Sequence, residues 1–343
     1  MSKAAELAAL IGSGQAQGNR NLIINGAMSV AQRGTSSTAA SYKTVDRFFY
    51  SSANLDNHAF TQTQQAVTDL AGFTNSWRIT TTTAESAIAA DELVYVAQKI
   101  EAQNLQKLSY GTSSAKRVTL SFYVKSSVTG TFSTNLYQTD DSRIVNSEYT
   151  ISSANTWERK EITYPADQTG VIDNNNGTGL YVTWILASGS NWKGNAATAW
   201  EVYSTNNWGG AGTYTDAVIT TVNSTWEITG VQLEIGDVAT AFEVEDFGTT
   251  LEKCKRYCYV APQHLGYTTG TNSATLAPSG TIQFSPNMRA APTCTGTYTP
   301  QSGSAGTFAV ASVNYSYVHV YNSSSNWNVV AIVVSDFKAD AEL

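Results

Sequence analysis

Charged residues are scarce in this sequence. They make up 14% of its 343 residues, whereas about a quarter is usual for a soluble protein. Ser, Thr, Asn and Gly take their place, so we expect a surface that is polar but mostly uncharged. This composition is typical of extracellular β-proteins and virion components, and it is uncommon in cytosolic metabolic enzymes.

Clusters of basic residues and long apolar runs are also missing. Lys and Arg total 20 against 27 Asp and Glu, for a net charge of -7, and they are dispersed. Phosphate binding needs clustered cations, so nucleic acid is excluded as a partner. No apolar run approaches the ~20 residues that span a bilayer. The first residues lack the continuous apolar segment of a signal peptide. We therefore expect a protein that is made in the cytoplasm and released by lysis or assembly, and not one exported through the general secretory route.

Three cysteines are too few for a disulfide framework. Cys254 and Cys258, four residues apart on a predicted helix, could bind a metal or pair across a subunit interface. Packing in an apolar core is the favoured interpretation, because buried cysteine behaves as a small apolar residue.

Alternation of apolar and polar residues predicts many strands between residues 42 and 245, and no helix there. The clearest is 117–125, where every second residue from Val118 to Val124 is apolar, so one face is buried. Asn25-Gly26 predicts a turn between strand-forming residues 22–24 and 28–30. Further strands are predicted at 45–50, 77–81, 93–100, 131–137, 157–164, 179–187 and 198–202, a spacing typical of a sandwich.

The segment 226–245 predicts the closing strand of that sandwich, with Trp226 in its core. A turn at Gly236-Asp237 and renewed pairing over 240–244 are expected, followed by a helix. Thr249 and Glu252 fit the capping box that begins a helix. We predict an all-β chain: a jelly-roll β-sandwich, a small C-terminal antiparallel β-domain, a short N-terminal helix and one linking helix. The predicted parts are 1–18 (helix 3–11 and linker), 19–247 (sandwich), 248–259 (linking helix) and 260–343 (C-terminal domain).

Several segments resemble virion structural proteins of tailed bacteriophages, especially tail-fibre-like proteins of phages of marine bacteria. They are NLIINGAMSVAQRG at 21–34, VDRFF at 45–49, WEITGVQLEIGDVATAFE at 226–243, LEKCKRYCYV at 251–260, FSPNMRAAPT at 284–293 and SDFKADAEL at 335–343. The resemblance covers the chain in patches. It implies a virion protein, and homotrimers are usual among such fibres.

The sandwich is similar to the jelly rolls of carbohydrate-binding modules, in which an early Asn-Gly pair and a last strand like 229–234 are common. Acidic residues near these strands often bind a structural calcium. Met28-Ser29 stand where an aromatic and an acidic residue are common. Glu234 is therefore a weak calcium candidate, because one carboxylate cannot satisfy an ion that takes 6–8 oxygens. No other cofactor is expected.

Aromatic rings in the Trp/Asn/Gly-rich region 192–214 are the candidate glycan site. Rings can stack on the apolar faces of sugars while amides bind their hydroxyls. We predict exposed loops at 173–177 and 206–212, and a core position for Trp200. The candidate binding residues are Trp192, Tyr203, Trp208 and Tyr214.

Paired carboxylates would be needed if the protein were a capsule depolymerase. The candidates are Asp140, Asp141, Asp167, Asp173, Glu158 and Glu161. Acidic residues in polar loops are far more often turn formers, so we predict no catalytic residue.

The favoured hypothesis is a non-enzymatic virion protein, a tail fibre or related appendage that contacts host-surface glycans. It would attach to other virion proteins through 1–18 and form a homotrimer. The alternative is a head-decoration or tail-assembly component without a glycan ligand.

Overall fold

The computed structural model describes residues 20–212, 214–267, 279–300, 308–322 and 331–343. The chain divides into two compact units, and the division falls between Glu245 and Asp246. The predicted N-terminal helix at 3–11 lies outside the described residues. No helix among the described residues is long and apolar enough to cross a membrane.

Among the described residues, the first unit contains twelve strands in two antiparallel sheets. In chain order they are β1 (Ser36–Ser37), β2 (Phe48–Ala53), β3 (Ala59–Ala66), β4 (Asn75–Thr83), β5 (Leu93–Glu101), β6 (Val118–Ser126), β7 (Gly130–Gln138), β8 (Arg143–Ile151), β9 (Glu158–Tyr164), β10 (Thr178–Ser188), β11 (Glu201–Val202) and β12 (Thr225–Ile235). Sheet I has the order β1-β3-β4-β12-β6-β9, and sheet II has the order β11-β8-β7-β10-β5-β2.

The inner faces of the two sheets enclose one hydrophobic core. Trp77, Trp184 and Trp226 are fully buried in it, together with the apolar residues of β6. Alternation along each strand places these side chains inward and their neighbours outward. The predicted jelly-roll sandwich is confirmed.

The prediction of no helix between residues 42 and 245 is wrong. A 3-10 helix spans Ala102–Leu108, another spans Thr205–Asn207, and a four-residue α-helix spans Ala217–Thr220. Each is too short for an apolar period to emerge in the sequence. Leu105 and Leu108 are buried in the core, so tertiary packing explains the first of these helices.

Residues 21–30, predicted as a first strand or strand pair, form no strand. The segment instead follows the second half of β12 through irregular hydrogen bonds. Leu22 N donates to Leu233 O at 2.8 Å, and Val231 N donates to Gly26 O at 2.9 Å. The Asn21 side chain completes the pairing, accepting from Leu233 N and donating to Val231 O. Because the Asn21 side chain takes the place of a backbone group, no regular ladder of backbone hydrogen bonds forms between this segment and β12.

Gly26 is required for space and not for a left-handed conformation. Asn25 (φ 62°) and Met28 (φ 57°) adopt positive φ in this turn, whereas Gly26 does not. A Cβ atom on Gly26 would lie 2.1 Å from the Val231 carbonyl oxygen. The turn therefore docks against β12 only with glycine at this position.

The second unit begins with the α-helix Phe247–Lys255. Six strands follow: β13 (Cys258–Tyr267), β14 (Ser279–Gln283), β15 (Thr293–Pro300), β16 (Phe308–Val313), β17 (Tyr317–Asn322) and β18 (Ala331–Asp340). They form two three-stranded sheets, β13-β18-β15 and β14-β17-β16, around a core that includes Phe284, Val318 and Phe337. The nearly continuous apolar run 327–334 predicts a last strand covered on both sides, and its first part, 327–330, lies outside the described residues.

Three details of the predicted connection between the sandwich and the C-terminal domain are wrong. Residues 240–244 form no strand. The helix begins at Phe247, because the carboxylate of Asp246 accepts a hydrogen bond from Thr249 N at 2.9 Å and caps it three residues before the expected cap, Thr249. Cys258 belongs to β13 and not to the helix. Cys254 and Cys258 are both fully buried, which agrees with apolar packing.

We predict that Gly26→Ala lowers the free energy of unfolding of the first unit by about 1–3 kcal/mol, because the added methyl group overpacks the contact with β12. All tryptophans except Trp327 precede residue 246, so tryptophan fluorescence during urea denaturation measures this unit. Ala40→Ser, which adds one heavy atom at an exposed position, is the control. Equal midpoints for the two variants would contradict the tight contact.

Candidate functional site

The outer face of sheet II carries a set of half-buried aromatic side chains. Alternation turns Tyr95 on β5, Tyr181 on β10 and Tyr137 on β7 away from the core. Tyr181 lies directly opposite Tyr137 in the strand register, and their ring centroids are 5.7 Å apart. Three adjacent strands therefore present tyrosine rings on one surface.

Trp208 lies at the centre of these rings. Its ring centroid is 5.6 Å from that of Tyr95 and 5.3 Å from that of Tyr137. The centroids of Tyr181 and Tyr203 are 6.3 Å and 5.7 Å away. Trp208 is only 7% exposed, so the tyrosines around it form the accessible part of the cluster.

The cluster extends toward the edge of the sheet through Phe49 on β2, whose ring centroid is 6.1 Å from that of Tyr95. We call the six rings together the aromatic stripe: Phe49, Tyr95, Tyr137, Tyr181, Tyr203 and Trp208. Successive ring centroids from Phe49 through Tyr95 and Trp208 to Tyr203 are 6.1, 5.6 and 5.7 Å apart, so the stripe is an extended row of rings.

Polar groups flank the stripe at both ends. The Lys99 ammonium lies 5.4 Å from the Phe49 ring centroid and 4.9 Å from that of Tyr181, within cation–π range. At the other end, the Tyr137 hydroxyl is 3.3 Å from Ser142 Oγ. A ligand on the rings would meet hydrogen-bonding groups at each end.

Two buried asparagines hold the loop that carries Trp208 against the sheet. Asn135 Nδ2 donates to Trp208 O at 2.7 Å. Asn146 Nδ2 donates to Asn207 O at 2.6 Å, and Asn146 Oδ1 accepts from Ala197 N at 2.6 Å. These bonds satisfy backbone groups that the loop buries. Trp208 is therefore fixed by backbone bonds as well as by ring contacts.

Burial raises the pKa of the stripe tyrosines. It raises the pKa of Tyr181 to about 12, with a further contribution from nearby Tyr95 and Tyr137. Burial likewise raises the pKa of Tyr95 and of Tyr203 above the ordinary tyrosine value. Since desolvation disfavours the phenolate, these hydroxyls stay neutral hydrogen-bond donors at physiological pH.

Of the four residues predicted to bind glycan, two belong to the aromatic stripe and two do not. Tyr203 and Trp208 belong to the aromatic stripe. Trp192 is half-buried beside it, and its Nε1 donates to Asp91 O at 2.9 Å. Tyr214 is 6% exposed, and its hydroxyl bonds to Ser188 Oγ beneath the loop. Tyr214 thus supports the loop from below and offers no ring face to solvent.

The prediction that 206–212 is an exposed loop is wrong in its central part. Asn207, Trp208, Gly209 and Gly210 are buried against sheet II. A Cβ atom on Gly209 would lie 2.4 Å from the Tyr214 hydroxyl oxygen, so glycine permits this close approach. Trp200 packs in the core, as predicted, with its ring centroid 5.6 Å from that of Tyr110.

Sequence reasoning missed Tyr95, Tyr137, Tyr181 and Phe49. A usable pattern was present, because all four are aromatic residues at outward positions of predicted strands. Polar residues are usual at such positions when a sheet face is only solvated.

Glu234, the weak calcium candidate, is surrounded by hydrogen-bond donors. Its carboxylate accepts from Gln232 Nε2, Thr240 N and Thr240 Oγ1, each at 2.8 Å. The Arg20 Nε is 4.0 Å away. Calcium is bound by oxygen ligands, whereas these groups point hydrogens at the carboxylate. Among the described residues, no group of three or more His, Cys, Asp or Glu is arranged to hold a metal ion.

The acidic residues considered for catalysis take part in local structure. Asp167 pairs with Arg143 Nε at 2.7 Å and accepts from the backbone of Thr169 and Gly170. Asp140 and Asp141 accept from loop amides at 3.0 and 2.6 Å. These contacts are those of turn-forming carboxylates.

No family model and no curated protein matches the chain. Among solved structures, it is similar to the enzymatically active domain of tailspike protein 4 of bacteriophage CBA120. That match has 12% identity and a TM-score of 0.34, and it covers 63% of this chain and 22% of the tailspike chain.

Carbohydrate-binding modules form a second group of similar structures. A CBM4 structure matches 62% of this chain and 98% of its own, with 13% identity and a TM-score of 0.30. A family 11 module from Clostridium thermocellum, in complex with a β-1,3-1,4-mixed-linked tetrasaccharide, covers 60% and 98%, with 11% identity and a TM-score of 0.30. Similarity at this level says nothing about the ligand or activity of this chain.

We predict that Asn146→Ala loosens the loop without unfolding the sandwich. Two buried backbone groups would lose their partners, each at a cost of about 1–3 kcal/mol. Hydrogen exchange over residues 194–211 should accelerate by more than about tenfold, which corresponds to roughly 1.4 kcal/mol. Asn191→Ala, at an exposed position in the same region, should leave exchange unchanged. Slow exchange in both variants would mean that ring packing alone holds the loop.

Proposed function

We propose that the aromatic stripe binds an extended, uncharged glycan chain. The observation that supports this most directly is the row of half-buried tyrosines around Trp208 on the outer face of sheet II. Pyranose rings have apolar faces that pack on aromatic rings, and their hydroxyls can bond to groups at the edges of the site. The length of the stripe suits a chain better than a single sugar.

The rigidity of the stripe favours binding. Trp208 is fixed from behind by Asn135 and from the side by four tyrosine rings. Little side-chain entropy remains to be lost when a ligand orders these rings, and preorganisation of this kind increases affinity.

The setting that we propose is an appendage of a tailed-phage particle, a tail fibre or a related structure that contacts host-surface glycans. The patches of sequence resemblance described above support it. A homotrimer attached to the particle through residues 1–18 would present three copies of the stripe, and this multiplicity would compensate for weak single-site affinity. Native mass spectrometry should give the trimer mass; monomers alone at micromolar concentration would contradict the trimer.

We further propose that the protein does not cleave its ligand. The carboxylates of Asp140, Asp141 and Asp167 are engaged by loop amides or by Arg143. A glycosidase needs two carboxyl groups placed on either side of a glycosidic bond. Glycans that bind should therefore release no reducing ends on prolonged incubation.

We predict that Tyr181→Ala and Tyr203→Ala each weaken glycan binding about tenfold, a loss of roughly 1.4 kcal/mol, because each removes a ring face from the stripe. A glycan array would identify the ligand, and titration calorimetry would measure affinity. Tyr123→Ala is the matched control, since Tyr123 is half-buried on the outer face of sheet I.

Equal affinities for the wild type and both stripe variants would remove the stripe as the site. Absence of binding to every glycan, with an intact fold, would favour the alternative of a head-decoration or tail-assembly component.

A further inference from the structure

A cavity of about 330 Å³ opens beside the loop that carries Trp208. Its walls come from both sheets and from two connecting segments. Asn146 and Glu148 belong to β8, Thr163 and Tyr164 belong to β9, and Ala196 and Gly210 belong to the loops that cover sheet II. None of the residues predicted to bind glycan lines this cavity.

The lining combines hydroxyl groups, one carboxylate and apolar surface. Ser147, Thr163 and Thr198 are hydroxyl residues of the lining, and Pro165 and Ala196 are apolar ones. Among the described residues that line the cavity, Glu148 is the one with a charge, and none is basic. A carboxylate accepts strong hydrogen bonds from hydroxyl groups, and it repels an anionic ligand. The chemistry therefore fits a neutral ligand rich in hydroxyls.

Ser133 is a lining residue of the cavity that the loop around Gly210 covers. Its side chain is fully buried and lines the cavity, and no described residue forms a hydrogen bond with its Oγ. An unsatisfied buried hydroxyl is costly. Gly210, with φ of 78°, passes over this hydroxyl, and a Cβ atom there would lie 3.3 Å from it. The Ser133 oxygen has almost no accessible surface, so Gly210 lets the loop pack closely over it, and a ligand in the cavity would contact the other lining residues.

We infer that this cavity is a subsite for one uncharged terminal sugar ring. This inference rests on the proposed function for its ligand class, a neutral glycan. The volume is near the lower end of small-molecule sites, about 300–1,000 Å³, so the cavity holds a ring or two and not a passing chain. The stripe would hold the chain, and the cavity would select its end.

Saturation-transfer NMR on the full chain with free neutral monosaccharides tests this subsite. The panel is glucose, galactose, mannose, rhamnose, N-acetylglucosamine and N-acetylgalactosamine, each at millimolar concentration. Ala196→Trp fills the cavity from an exposed rim position, and Ala199→Trp places the same ring at an exposed position nearby that does not line it.

The expected result is transfer to at least one monosaccharide in the wild type and in Ala199→Trp, and its loss in Ala196→Trp. Glu148→Gln should weaken the same sugar about tenfold, because a neutral amide accepts weaker hydrogen bonds than a carboxylate. No transfer to any of the six sugars, or equal transfer in both tryptophan variants, would overturn the inference. Tighter binding of glucosamine than of glucose would overturn the inference that the ligand is uncharged.

The outcome can be separated from that of the proposed function. If a long glycan binds and loses affinity with Tyr181→Ala, but Ala196→Trp changes neither it nor any monosaccharide signal, the stripe stands and the subsite fails. If monosaccharide transfer disappears with Ala196→Trp but not with Tyr181→Ala or Tyr203→Ala, and no long glycan binds, the subsite stands and the stripe fails.

Discussion

The hydrogen bonds from Asn135 and Asn146 to loop backbone are the constraint on which the exposed face of this sandwich depends. They replace water at two carbonyls and one amide that the loop 197–208 buries on sheet II. Once these groups are satisfied, Trp208 can pack edge-to-face among the tyrosines, and the loop backbone can form a wall of the neighbouring cavity. Buried polar networks of this kind specify one arrangement, because a partly satisfied alternative is costly.

The opposite sheet is organised around β12 in a comparable way. Its first half pairs with β4 on one side, whereas its second half pairs there with the irregular segment 21–26. The change of partner coincides with a register shift after Thr229 and a positive φ at Gly230. Glu227, although only 2% exposed, is satisfied by Ser76 and Arg78. Each irregularity of this sheet therefore has a local side-chain solution.

Much of the fold could be predicted from the sequence, but the site only in part. Strict alternation located β6 to within a residue and identified the core role of Trp226. The same pattern could not show that outward-facing Tyr137 and Tyr181 meet, since this needs the order of strands in the sheet. The burial of Trp208 depends on Asn135, 73 positions earlier, and no local pattern encodes such a pairing. The local enrichment in Trp, Asn and Gly, by contrast, did point to the region 192–214, which contains Tyr203 and Trp208.

The position of β12 also determines when this sandwich can assemble during synthesis. β12 lies between β4 and β6, so both strands have an unpaired edge until residue 235 has left the ribosome. Contacts between such distant segments slow folding, and open strand edges invite pairing with other chains while they last. A nascent chain stopped short of Thr225 would therefore leave sheet I split into two halves, with its core open to water.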